Sequence, residues 1–282
     1  MLNETNLVIA VKWLKQADAV LLAAGAGLSA DCGIDYLDEQ DFANDYPALV
    51  KMGFQNRAQL MGYEGWRPLL KWGYLAHHAN KIRFEQAVHY LYRYLFNLIA
   101  DKDYFVITTN VDGMFLKSGF NSTLVFTPQG DYANMQCQRP CTDYIWESKA
   151  SIDRIIPFID KETQLVKNSR LLPRCPFCGG DTMLNVRGGN WFVESKYINH
   201  ARAYTKWIKD KATSKLVIIE IGVGFSTPGI IRWPVERIVE KYSQARLIRI
   251  NKSDASVSCN IGNRALGFKN SAKNVISDFY QY

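Results

Sequence analysis

Ala19-Val-Leu-Leu-Ala-Ala-Gly-Ala-Gly-Leu-Ser29 decides the fold class. Six apolar residues run without interruption and stop at a glycine, the pattern of a short strand buried on both faces of a parallel sheet. Before it, Leu7, Ala10, Val11 and Leu14 keep helical spacing and place one apolar stripe on a helix. The same kind of run returns at Tyr104 to Thr108, Leu124 to Phe126, Leu216 to Ile221 and Leu247 to Ile250. Between the first two, Phe84, Ala87, Val88, Leu91, Tyr94, Leu95 and Leu98 share a helical period and predict one long helix, and Pro234 to Tyr242 predicts a short one. Strands alternating with helices predict an α/β fold with a doubly wound, Rossmann-like parallel sheet, whose ligands sit beyond the carboxyl ends of the strands.

The rest of the 282 residues fits that class. With 48% hydrophobic and 22% charged residues the chain can bury a core, which excludes disordered and fibrous classes. The net charge of +7 is spread along the chain and never forms a dense basic cluster, so it reads as steering toward an anionic partner and not as nucleic-acid binding. The stretch Ala19 to Ala30 mimics a leader, but Asp18, two glycines and its short length argue against a leader or a membrane span. The chain therefore reads as soluble and cytoplasmic, a reducing setting in which six cysteines are not a disulfide framework.

Residues 131–190 break the alternation and carry four of the cysteines, which predicts a small inserted module. The Rossmann-like unit then comprises 1–130 and 191–282, with 36–80 an insertion or lid. Cys137-x3-Cys141 and Cys175-Pro-Phe-Cys178 are two thiolate pairs at spacings that can hold one zinc ion, although buried structural cysteines are the alternative. Cys32 and Cys259 read as small packed residues.

Small, amide and acidic residues follow each strand: Gly25-Ala26-Gly27 with Ser29, Thr109-Asn110-Val-Asp112, Thr127-Pro-Gln129-Gly-Asp131, Gly222-Val-Gly224, and Asn251. The first suits a turn that lets backbone approach a diphosphate. Asn110 could hold a ribose or a water through its amide. Asp112 could fix ribose hydroxyls, and as an anion it could favour positive charge developing at C1′. Each residue taken alone can also be a simple turn former.

Together, Gly25-Ala-Gly-Leu-Ser-Ala-Asp-Cys-Gly-Ile34 and Thr108-Thr-Asn-Val-Asp112 resemble the first cofactor motif and the Thr-Gln-Asn-x-Asp motif of the sirtuins, the NAD-consuming deacylases. The resemblance implies NAD as co-substrate, a structural zinc on Cys137, Cys141, Cys175 and Cys178, and an Asn251 set against the adenosine ribose. It carries the cofactor role to Gly25, Ala26, Gly27, Ser29, Asp35 and Thr109, to Asn110, Asp112 and Gln129, and to Gly222, Gly224 and Asn251. Three departures stand out. Gln129-Gly130 replaces the family's His-Gly, and a glutamine has no proton affinity suited to a general base near neutral pH. Gly33-Ile-Asp-Tyr36 replaces Gly-Ile-Pro-Asp-Phe-Arg, and Asn190-Trp-Phe-Val-Glu194 only echoes the Phe-Gly-Glu segment. None of His77, His78, His89 or His200 stands where the base would be needed.

This pattern resembles the macrodomain-linked class M branch of the sirtuins. That branch implies mono-ADP-ribosylation of a protein, with a lipoyl-carrier protein related to the glycine-cleavage H protein as acceptor and a macrodomain protein that reverses the modification. Asn110, Asp112 and Gln129 would then be catalytic. Lipoyl carriers tend to be acidic, which suits a +7 partner. The alternatives are a deacylase with an altered base, a catalytically silent NAD-binding module and a plain NAD hydrolase.

Overall fold

The computed structural model describes residues 4–281. Its strands are β1 (Ala19–Ala24), β2 (Asp103–Thr108), β3 (Val125–Phe126), β4 (Gly130–Cys137), β5 (Trp146–Glu147), β6 (Thr182–Val186), β7 (Leu216–Ile221), β8 (Arg246–Ile250) and β9 (Ala265–Phe268). Six of them form one parallel sheet in the order β3-β2-β1-β7-β8-β9. With the three strands of the small module set aside, the order is that of a dinucleotide-binding fold, which reverses direction between β1 and β7.

Burial explains the uninterrupted apolar runs. Every residue of β1 and β7 is buried. Because successive side chains point to opposite faces, Val20, Leu22 and Ala24 enter one core while Ala19, Leu21 and Ala23 enter the other. Helices Glu4–Lys15, Tyr90–Ile99 and Ala272–Phe279 contribute to the first core, and Ile198–Asp210 and Arg232–Lys241 to the second.

Two expectations need correction. The predicted long helix over Phe84 to Leu98 is broken: a π-helical segment Asn80–Glu85 ends at Gln86, and the next helix is Tyr90–Ile99. Ala87 and Val88 lie in the link, and the His89 ring accepts the Leu91 N–H at 3.2 Å, capping the new helix. The sixth strand, Ala265–Phe268, adds to the five expected, since four residues with an internal glycine carry no periodic signal.

The cysteine-bearing segment contains an antiparallel sheet in the order β5-β4-β6. Its buried Met135, Leu184, Ile152 and Ile155 join the first core of the main sheet. Residues 36–80 form helices Glu39–Asp45, Pro47–Lys51 and Pro68–Ala79 around their own core of Phe42, Tyr46, Leu49, Leu60, Leu70 and Tyr74. Buried Arg57 ties this unit together through Asp41 at 2.7 Å and Asp45 at 2.5 Å.

Candidate functional site

The strand ends converge where the sheet changes direction. Thr109 N–H donates to Ala24 O, Gly25 N–H to Ile221 O, and Gly222 N–H to Ile250 O, so each loop leaves its strand hooked to a neighbour. A cleft of about 330 Å³ lies over this edge. Gly25, Ala26, Gly27, Asp35 and Thr109 line it from the β1 and β2 side, and Gly222, Gly224 and Asn251 from the β7 and β8 side. Eight of the residues singled out in the sequence thus share one cavity.

The glycines are needed first against one another. A methyl group on Gly27 would stand 2.7 Å from Gly222 Cα, and one on Gly222 would stand 2.3 Å from Leu28 N. Gly222 also has φ +63°, a region that disfavours side chains. The Gly27 N–H is spent on Gly222 O at 2.9 Å. The Gly25-Ala-Gly turn therefore locks two loops together at the base of the cleft.

Asn110 and Asp112 are both buried and, like Ser29, do not line this cleft but bond to the loop that does. Asn110 Nδ2 donates to Gly25 O at 3.1 Å, and its own N–H donates to Thr108 Oγ1. Ser29 Oγ donates to Asp112 Oδ2 at 2.6 Å and Met114 N–H to Oδ1 at 2.9 Å. Burial raises the Asp112 pKa above the usual carboxylate range, against the pull of those two donors, and the neighbouring Asp131 adds to the rise. Ser29 thus serves the acid directly. Tyr92 completes the group: its fully buried hydroxyl neighbours Asp112, Cys32, Ser29 and Asn110 yet makes no regular hydrogen bond. Cys32 is held as an inert thiol, its pKa pushed up to about 12 by burial and then by Asp31 and Asp112.

The β7–β8 side is held by ions. Arg249, fully buried, makes a bidentate pair with Glu220 (2.7 and 2.8 Å) and reaches Glu236 (2.6 Å) and Ser256 O (2.5 Å). Arg232, also buried, donates to Val223 O and Asp254 O. Asn251 Nδ2 donates to Val223 O at 2.9 Å, while its Oδ1 accepts from Ser253 and Asp254. These arginines, unremarked in the sequence, fix both loops of the cleft. The available signal was a charge inside each apolar run: Glu220 and Arg249 are register partners across β7 and β8.

Gln129 occupies the turn between β3 and β4, half-buried. Arg187 at the end of β6 clips this turn twice, N–H to Gln129 O at 2.9 Å and Nε to Pro128 O at 3.0 Å. Just beyond it, Asp131 makes a bidentate pair with Arg83. Tyr132 OH meets Tyr36 OH at 2.9 Å and His78 Nε2 at 3.1 Å. Burial, with the nearby Arg57, His77 and Lys81 charges, drives the His78 pKa down to about 3, so it stays neutral and serves as no base near pH 7.

The four module cysteines meet. Cys137 and Cys178 sulfurs are 3.7 Å apart, Cys141 and Cys175 3.6 Å, and all four lie within 4.8 Å of one another. Zinc–sulfur bonds of about 2.3 Å in a tetrahedron require sulfurs about 3.8 Å apart, so the cluster can hold a zinc ion. Burial opposes ionisation of Cys175, but backbone N–H groups of Cys178 and Phe177 outweigh it and bring the pKa to about 7. Cys259 is exposed, which corrects its expected packing.

No protein-family model matches the chain. A Fusarium oxysporum f. sp. cubense protein, whose name joins ADP-ribose hydrolase to ADP-ribosyltransferase, is 36% identical over 87% of this chain and 42% of its own length. The chain thus spans about two fifths of that relative. A Staphylococcus aureus protein ADP-ribosyltransferase is 26% identical over 90% of this chain and 80% of its own. Among solved structures, a Sir2 homologue in complex with NAD superimposes with a TM-score of 0.66 at 15% identity, covering 97% of this chain and 92% of that one. At that identity the likeness concerns the fold.

Proposed function

From a chain that has the sirtuin fold and aligns with ADP-ribosyltransferases over most of its length, we propose an NAD-dependent protein mono-ADP-ribosyltransferase. One observation supports the reading: Asn110 and Asp112 are buried directly behind the cleft loop, bonded to Gly25 O and Ser29, and the turn after the neighbouring strand β3 carries Gln129, an amide where deacylation would need a base.

NAD as co-substrate brings a nicotinamide leaving group on C1′ of a ribose. The Gly25–Gly27 turn, Gly222, Gly224 and Asn251 bound the space for the dinucleotide, and the Arg249–Glu220 network keeps that space shaped in advance. Asp112 in its ionised form stabilises positive charge growing at C1′, with Ser29 and the Met114 N–H each holding one of its oxygens. Asn110 positions ribose hydroxyls, and the Gln129 amide orients the acceptor nucleophile without taking its proton. A zinc on the four cysteines would be structural, closed by four thiolates with no position for water. A lipoyl-carrier protein is the acceptor we favour, a macrodomain protein the partner that reverses the modification, and the reducing cytoplasm the setting.

The test is labelled NAD incubated with the protein and a lipoylated or unlipoylated carrier domain, for wild type, Asn110→Ala and Gln129→Ala. Transfer is expected to need Asn110 and to depend on the lipoyl group. Free acyl release from modified lysine peptides without any transfer would replace this reading with deacylation.

A further inference from the structure

We infer that the outer face of the Ile198–Asp210 helix is a docking surface for an acidic, amphipathic segment of the acceptor protein. The inference rests on the transferase reading for the reason an acceptor must come to this place. A groove of about 500 Å³ runs along the helix. Ile198, Ala201, Arg202, Thr205, Lys206 and Lys209 line it, and their spacing of three and four residues makes them one stripe. The opposite stripe, with Tyr204, Trp207 and Ile208, packs on the main sheet. The helix is therefore apolar where it meets the protein and cationic where it meets the groove.

The facing wall is Phe126 and Pro128, the residues that lead into Gln129, with Arg187 beside them. Whatever lies in the groove ends next to the Gln129 turn, to which the transferase reading gives the acceptor nucleophile. Four cations meet two anions here, and the anions are already answered: Glu194 by Arg187 at 2.8 Å and Asp210 by Lys206 at 2.5 Å. Arg202 and Lys209, both exposed, have no carboxylate partner among the described residues. A partner that supplies carboxylates to those two and an apolar side chain to Phe126 and Pro128 complements the groove in both charge and polarity. This gives the diffuse +7 charge a local address.

The experiment titrates the full chain, at low salt, with a fluorescent amphipathic peptide bearing Glu on one helical face and Leu on the other. Arg202→Glu with Lys209→Glu is expected to weaken binding about tenfold, and the same peptide with Lys in place of Glu should bind this double variant better than wild type. Both substitutions are on exposed side chains, and the melting temperature checks that the variant folds. An affinity within about twofold of wild type, or no recovery with the charge-swapped peptide, overturns the proposal. Nicotinamide release from NAD without peptide is followed in parallel and should be equal in both proteins. If wild type itself releases none and transfers none, the transferase reading fails while the peptide result stands independently.

Discussion

The two ends of the cleft are built on opposite principles. On the β7–β8 side every buried charge is answered: Arg249 uses Glu220, Glu236 and Ser256, and Arg232 uses the Val223 and Asp254 carbonyls. On the β1–β2 side polar groups are buried short of partners. Asp112 sits in a site that raises its pKa, and the neighbouring Tyr92 OH makes no regular hydrogen bond. A saturated network holds a shape, whereas unsatisfied groups store free energy that an arriving ligand or a changing charge can release. On the proposed reading, the first end holds the dinucleotide and the second acts on it.

The contrast breaks most visibly at the saturated end. Glu220→Gln leaves Arg249 buried with Glu236 as its remaining acid, and should cost about 3 kcal/mol of stability, read from the urea midpoint. At the other end, Asp112→Asn should lower transfer by about 10²- to 10³-fold with the melting temperature nearly unchanged. Because burial raises the Asp112 pKa, the carboxylate that the proposed mechanism uses is lost earlier on acidification. The acid limb of kcat/KM should lie above the ordinary carboxylate range and vanish in the Asn variant. Gly222→Ala forces a methyl group into the Gly27–Leu28 backbone at a positive φ, and should destabilise by about 1–3 kcal/mol and weaken NAD binding in calorimetry. The smallest effect belongs to Tyr92→Phe. Removing an unpartnered hydroxyl should leave stability equal or raise it by up to about 1 kcal/mol, and a clear loss of stability would show that the hydroxyl is already satisfied.

Much of this was legible in the sequence because burial on two faces writes itself as an apolar run. Ala19–Ala24 and Leu216–Ile221 were found to the residue, and the residues after them line one cleft. The broken helix was not legible, since Ala87 and Val88 keep a helical apolar phase while the backbone under them does not. Within the site, the motifs pointed to Asn110 and Asp112 but could not reveal that Ser29 spends its hydroxyl on Asp112, a contact between residues far apart in the chain. Glu220 and Arg249 were hidden for a different reason: each looks like an error in a strand until the register pairs them.

The double clip of Arg187 on the Gln129 turn bears on how this protein can be recombined. A cassette exchange that treats the cysteine-bearing segment as a free-standing part, cut between β6 and the Ile198–Asp210 helix, would separate Val193, which donates to Gln136 Oε1, from the strand that receives it. It would also bring in a foreign residue at position 187, whose arginine grips both Pro128 and Gln129. Working chimeras should carry the 128–129 turn and Arg187 as an inseparable pair from one parent, with the downstream seam placed after Tyr197, which keeps Glu194 with Arg187 and the Tyr197 hydroxyl with Asn185.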